Sequence, residues 1–565
     1  MKHALLLFLL LNIYSCFCLG IQAQELTLSL TAEKIISKGL KDSLQTPKTF
    51  ADINSLQNAV DTVALKLLRM GYIESELLQL NKENDSSFTA NFLLGEKFTK
   101  LKVFYSNQDF THKELQQISP EITENYFILP FESVPMSLQK LTSSQTQKGM
   151  AFARMRLTEF EKATDGSLTA SLRLESGSQR TVDSIAIKGY EQFPRSFLKY
   201  YAGIKKGKTF NQKKLVTQSE NLNSLGFVSA TKPPEALFRK DSTIVYFYLE
   251  KQNNNLFDGI LGFATNEETR KLELNGYLNL ELNNNLNYGE QLLINYKADG
   301  KEQVSFRTKA VLPYLFKTPF GLSGELKIFK RDSSFITTEQ QLRTTYQINT
   351  TSQAYVGYRG FDSSKLLDES VAGIPIEDFK SSFLIVGANY IRPQNRRLFP
   401  IKTHLTVDSG IGNREKDGSS ESQFKVEALI NNIFYLNYNN SIFVQSTTGI
   451  LNSDTYLVNE LFRFGGINSI RGFDENSIDA SLYSVINTEY RYQFNEAVFA
   501  HSIIDIGYFE NQTLSIKQKL YSFGLGLGLS TKAGLFRLIV ANGGSENQDL
   551  DFSNSKIHIS ISSRF

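Results

Sequence analysis

At 565 residues, with 41% hydrophobic and 12% aromatic residues, no tryptophan and 12 prolines, the chain exceeds what one soluble core usually holds. More than one domain is expected. A net charge of +3 and the lack of any basic cluster exclude nucleic acid as an expected partner. Beyond the N-terminal segment no run of roughly eighteen apolar residues occurs, which excludes a helical membrane span there.

Residues 1–23 have the pattern of a secretory signal. Lys2 gives a basic start, Ala4 to Leu11 an apolar centre, and Ile21-Gln22-Ala23 a small-residue cleavage site before Gln24. Both cysteines, Cys16 and Cys18, fall inside it, so the exported chain is expected to hold no thiol, disulfide or cysteine-based metal site. Lipid attachment at Cys16 is the alternative, against which Tyr14 is a poor lipobox residue.

Helix-like segments then end in glycine before an apolar strand at Met70-Gly71-Tyr72, Lys148-Gly149-Met150 and Leu225-Gly226-Phe227, 78 and 77 residues apart. A two-strand pattern follows each. This period, with mixed helix and strand, predicts three tandem α+β modules over 25–100, 101–180 and 181–252. Each glycine is expected to end its helix in a left-handed conformation. The helix over Ala51 to Arg69 carries Val60, Val63, Ala64, Leu67 and Leu68 at helical spacing, a face for packing on a small sheet.

From Leu256 to Phe565 the period changes to two. Sixteen strands separated by Asn, Gly, Asp and Ser turns are predicted, each long enough to cross a bilayer obliquely. In the last one Ile557, Ile559, Ile561 and Phe565 share one face and Lys556, His558, Ser560, Ser562 and Arg564 the other, a lipid face and a wet lumen face. Over Ser481 to Phe494 the same test places Asn487, Glu489, Arg491 and Gln493 inside and Ile486, Thr488, Tyr490, Tyr492 and Phe494 outside. Leu525, Leu527 and Leu529 are expected to face lipid, while Gly524, Gly526 and Gly528 leave room in the lumen for a tucked loop. That loop, Arg463 to Ile478, is glycine-rich and carries Ile470-Arg471-Gly472-Phe473 between strands 11 and 12.

On these features the chain resembles the BamA/TamA superfamily of outer-membrane assembly and translocation proteins. Its members carry periplasmic POTRA modules before a sixteen-stranded antiparallel transmembrane barrel. The third module matches most closely, and the module count and length resemble TamA more than BamA. The resemblance implies that the loop folds back into the barrel and that Arg471, flanked by Gly472 and Phe473, meets acidic groups on the wall. The matching positions are Asp505 in Ile504-Asp505-Ile506-Gly507 and, secondarily, Glu489. A guanidinium fork suits this task, because one carboxylate can accept two parallel bonds from it. Gly472 is expected to let the tip turn tightly.

No catalytic elbow, phosphate loop or zinc-binding helix motif is present, so no enzyme, cofactor or metal is expected. His112, His404, His501 and His558 are scattered and read as isolated polar residues. The expected partners are unfolded outer-membrane or secreted proteins, outer-membrane lipids and accessory assembly subunits; the expected location is the bacterial outer membrane, with the modules in the periplasm. Client strands are expected to add to an edge at Thr243, Val245 and Phe247 of the third module. A weak seam is expected where Gly259 and Gly262 of the first barrel strand meet Ile561 and Phe565 of the last. The alternatives are secretion of a dedicated partner, as in two-partner transporters, and a passive porin or adhesin.

Overall fold

The computed structural model describes residues 25–33, 36–265, 272–298, 303–331, 334–366, 376–531, 534–547, 551, 553 and 555–562. The chain divides into two compact units, Met1–Thr181 with Thr209–Gln212 and Val182–Lys208 with Lys213–Phe565.

The first unit holds two α+β sheets. One has the strand order Thr49–Phe50, Leu26–Ala32, Ser87–Leu93, Glu76–Lys82, and the other Glu121–Ile122, Tyr126–Pro130, Lys100–Phe104, Leu168–Glu175, Arg154–Lys162. In each, the opening strand lies parallel to the closing one, whose antiparallel hairpin partner forms one edge. The helix Ile53–Arg69 seals the first sheet with Leu56, Val60, Val63 and Leu67, while Leu68, expected on the same face, points to solvent. Asp52 caps its start by accepting from the Ser55 amide at 2.7 Å. The helix Val134–Gln147 covers the second sheet, whose core contains Leu101, Val103, Leu115, Phe127, Leu129 and Leu141.

The second unit opens with the third module, a sheet ordered Ser184–Gly189, Thr243–Lys251, Val228–Phe238, with the same parallel and antiparallel relations. Gly71, Gly149 and Gly226 all take positive φ, at 98°, 93° and 77°, as expected of residues that end a helix and turn the chain into a strand. The hairpin strand of each module is bulged, between Leu77 and Gln79, Thr158 and Glu161, and Ala230 and Glu235.

A sixteen-stranded antiparallel barrel follows. Its strands run in sequence order from strand 1, Leu256–Thr265, to strand 16, Lys556–Ser562. Ile411, Ile506, Leu525, Ile557 and Ile559 are exposed on the outer wall, whereas Arg359, Asp408, Glu489, Arg491 and Asp505 are buried inside. This inverted pattern is what lipid outside and a polar lumen require. Inside, Arg359 lies 2.7 Å from Glu427 and 3.3 Å from both Glu339 and Asp408, and Arg343 lies 2.6 Å from Asp408. Apart from the Arg359–Glu339 tie between paired strands, these ties cross between strands that are not sheet neighbours and brace the wall.

The third module sits on turns at one end of the barrel. Phe197, on the helical turn Phe197–Tyr201, meets Tyr314 edge-to-face at 4.7 Å. Tyr200 stacks on Tyr314 and donates to the Lys317 carbonyl at 2.9 Å. Tyr190 donates to Asn287 at 2.6 Å, and Thr350 donates to the Tyr201 carbonyl at 2.8 Å.

One expectation changes here. Thr243–Lys251 is the central strand of its sheet, and Thr243, Val245 and Phe247 are fully buried, so they form no edge. The residues that end the sheet belong to Ser184–Gly189 and Val228–Phe238. At the seam, strands 1 and 16 end the sheet order, and strand 1, with Gly259 and Gly262, pairs on its other side with strand 2 in unbroken register from Leu256 opposite Glu281 to Thr265 opposite Leu272. Ile561 lies on strand 16 opposite Phe536; Phe565 is outside the described residues.

Candidate functional site

The loop between strand 11, Asn440–Asn452, and strand 12, Leu482–Gln493, carries its own hairpin, Phe462–Phe464 paired with Ile478–Ala480. Nothing in the residue pattern pointed to this hairpin. Phe464 stacks on Tyr483 at 4.8 Å and packs with Phe509, Val485 and the fully buried Ile470. The loop base is fixed by charge as well. Arg414 pairs with Glu460, and Asp479 accepts from Arg331 of strand 5, Phe320–Arg331, at 2.7 Å. Beneath it lies a cavity of about 380 Å³ lined by groups that include Lys327, Glu339, Lys425, Glu427 and Arg463.

At the tip, Arg471 is 4% exposed and reaches the wall. Its Nε and Nη2 donate to Asp505 Oδ2 and Oδ1 at 3.0 and 2.5 Å, the two-pronged geometry a guanidinium allows. The Arg471 backbone amide adds a third bond to Asp505 at 3.0 Å. Its remaining Nη1 donates to Glu489. Asp505 lies on strand 13, Val498–Asn511, and is completely buried. The loop signature and both carboxylates therefore come together as expected, with Asp505 the principal partner. Glu489 is shared with Arg491, whose Nε lies 2.7 Å away, and with His501 at 3.7 Å.

Gly472 has a different role from the one expected. Its φ is not positive; instead, a Cβ there would stand 2.3 Å from the backbone nitrogen of Gly543. The loop tip thus lies directly on strand 15, Gly534–Ser545, and only glycine permits that approach. Phe473 packs at the edge of the Phe464 and Ile470 cluster and against Gly543. The lumen side of Gly526 and Gly528 is filled by His501 and Phe499 of strand 13, so the loop passes at Gly543 and not at those glycines.

Two of the histidines, His501 and His558, are not isolated. His501 faces the shared carboxylate, and His558 on strand 16 donates from Nε2 to the Arg471 carbonyl at 2.9 Å. Arg491 and His558 were legible only as inward-facing positions, and His501 only as a polar residue. Among the described residues no group of acidic, histidine or cysteine side chains could hold a metal ion. The arrangement is a mechanical latch: it fixes a loop inside a barrel by charge pairing.

The comparisons agree with this architecture. Residues 282–565, half of the chain, match the Omp85 superfamily domain, and residues 180–252 match a POTRA, surface antigen variable number repeat. The structure of BamA from Haemophilus ducreyi lacking POTRA domains 1-3 is similar at TM-score 0.51 and 15% identity, over 83% of this chain and 100% of that one. CdiB from Escherichia coli is similar at TM-score 0.52 and 14% identity, over 90% and 98%. No curated relative matches the chain. With POTRA modules leading into a sixteen-stranded barrel latched by its loop arginine, the chain belongs to the Omp85 superfamily of outer-membrane barrels.

Proposed function

We propose that this protein receives unfolded β-rich clients on its periplasmic modules and assembles them into the outer membrane at the junction of barrel strands 1 and 16, in the manner of a TamA-like factor. The observation that carries this reading is the edge of the third module. In the first two modules a further strand covers the opening strand, and all three hairpin edges are bulged. Bulges blunt an edge against strand addition. Ser184–Gly189 ends its sheet without a bulge, beside the barrel entrance, and suits backbone pairing with clients of many sequences. A diffusion pore has no need of such modules.

Depletion in the native organism followed by outer-membrane proteomics tests the reading. Loss of many barrel proteins supports it. Loss of one secreted protein assigns the chain to dedicated secretion, and an unchanged proteome returns it to a pore or anchor.

A further inference from the structure

The latch described above ties the loop to strands 12 and 13. Three further contacts run in the opposite direction, toward the end of the barrel. The Arg471 carbonyl accepts from His558 Nε2 at 2.9 Å, the Asp474 carboxylate lies 2.9 Å from Lys556 Nζ, and Gly472 rests on Gly543. His558 and Lys556 belong to strand 16, and Gly543 to its neighbour, strand 15.

Among the described residues strand 16 has a single sheet neighbour. Its described part has 7 residues, and it ends the sheet order, paired with strand 15 from Leu535 opposite Ser562 to Ala541 opposite Lys556. Strands 13 and 14, by contrast, pair from Val498 opposite Leu529 to Asn511 opposite Ile516. A strand at the end of a sheet is the first part of it to fray, so a bond from a fixed point inside the lumen has a large effect on it. Arg471 is such a point, because its side chain is clamped to Asp505 and its backbone carbonyl faces His558.

We propose that the loop is a strap on the last barrel strand: His558, held by the carbonyl of the latched Arg471, is the positioning residue that keeps strand 16 in register. The Lys556 and Asp474 pair contributes little, since both side chains are substantially exposed, at 33% and 70%. His558 and the close Gly472–Gly543 contact are the effective links. On the seam reading of the previous section, release of this strap is what opens the junction for a client.

The test is hydrogen exchange by mass spectrometry on the full-length protein in lipid nanodiscs, with His558→Val, His558→Gln and Lys556→Ala variants. His558→Val should speed exchange in 556–562 by about fivefold, the change expected for one lost half-buried hydrogen bond. Strands 12 and 13 should be unaffected. His558→Gln restores a side-chain donor and should return exchange close to the native rate; Lys556→Ala should change it less than twofold (about the size of an exposed ion pair). Native exchange in His558→Val, or equal acceleration in His558→Val and His558→Gln, would overturn the strap. Accelerated exchange with unchanged client assembly upholds the strap and removes seam opening from the proposed function.

Discussion

Arg471→Ala is the most direct perturbation of the latch. It removes two of the three bonds that Asp505 accepts from Arg471 and leaves the backbone amide. Glu489 fares better, because Arg491 and His501 remain beside it. The cost therefore falls on Asp505, a carboxylate with no exposed surface. An uncompensated buried charge costs about 3–5 kcal/mol; the surviving amide bond and the polar lumen place the value near ~3 kcal/mol. At about 1.4 kcal/mol per tenfold, the population with an undocked loop should rise roughly 100-fold. Arg471→Lys keeps the charge without the fork and should lie between native and alanine. Glu489→Gln should have a smaller effect, below about tenfold, since Asp505 still holds the guanidinium. Cleavage of the loop over Arg463 to Ile478 by a broad-specificity protease measures docking; trypsin is unsuitable because the substitution removes one of its sites. A cleavage rate in Arg471→Ala within about threefold of native would refute the argument that charge pairing holds the loop.

Ile185→Pro should cut crosslinking to unfolded clients while leaving the third module folded. Tyr190 donates its amide to the Leu249 carbonyl, and in the parallel register of Ala186 opposite Tyr246 the alternation along the strand turns the Ala186 amide into the sheet and the Ile185 amide away from it. Ala186→Pro removes an inward amide and should unfold the module. Tyr314→Ala deletes the ring that meets Phe197 and Tyr200; faster hydrogen exchange at Phe197–Tyr201, with the barrel unchanged, is the expected result. In the second module, burial pushes the Glu114 carboxyl up, but bonds from Lys148, Ser144 and Thr111 outweigh it and hold the group at about 2. A lowered folded value contributes stability above the unfolded value and loses it as pH falls from about 4.5 to about 2. Urea unfolding of the first unit, followed by circular dichroism, should lose about 1 kcal/mol across that window, solvent screening of this partly exposed carboxylate reducing the effect, and Glu114→Gln should flatten the loss.

The barrel was legible because a bilayer imposes one rule on every strand: polar in, apolar out, with turn residues between. Strand 12 obeyed it residue by residue, with Asn487, Glu489 and Arg491 buried and Ile486, Tyr490 and Tyr492 exposed. Sheet order within a module has no such signature. Thr243–Lys251 was expected to offer an edge, yet its run of Ile244, Val245, Tyr246, Phe247, Tyr248 and Leu249 is apolar on both faces, which suits a strand covered on both sides. The strand Val228–Phe238 runs through Pro233 and Pro234, which an edge strand with a bulge accommodates.

At the latch, sequence supplied the acceptors and the donor but not their neighbours. Glu489 and Asp505 sit on adjacent strands, so period-two alternation alone puts both in the lumen. His558 could be placed in the lumen by the same rule, and no more, because its partner is a backbone carbonyl that any residue would offer. Gly472 illustrates the other gap. Its need for glycine arises from Gly543, about seventy residues away in sequence, and not from its own turn. Through-space convergence of this kind follows from the register of the whole barrel. Once that register is known, the loop arginine is no longer only a tie to one wall: its side chain faces strands 12 and 13 while its carbonyl faces strand 16, and one residue connects the fixed side of the barrel to the side proposed to open.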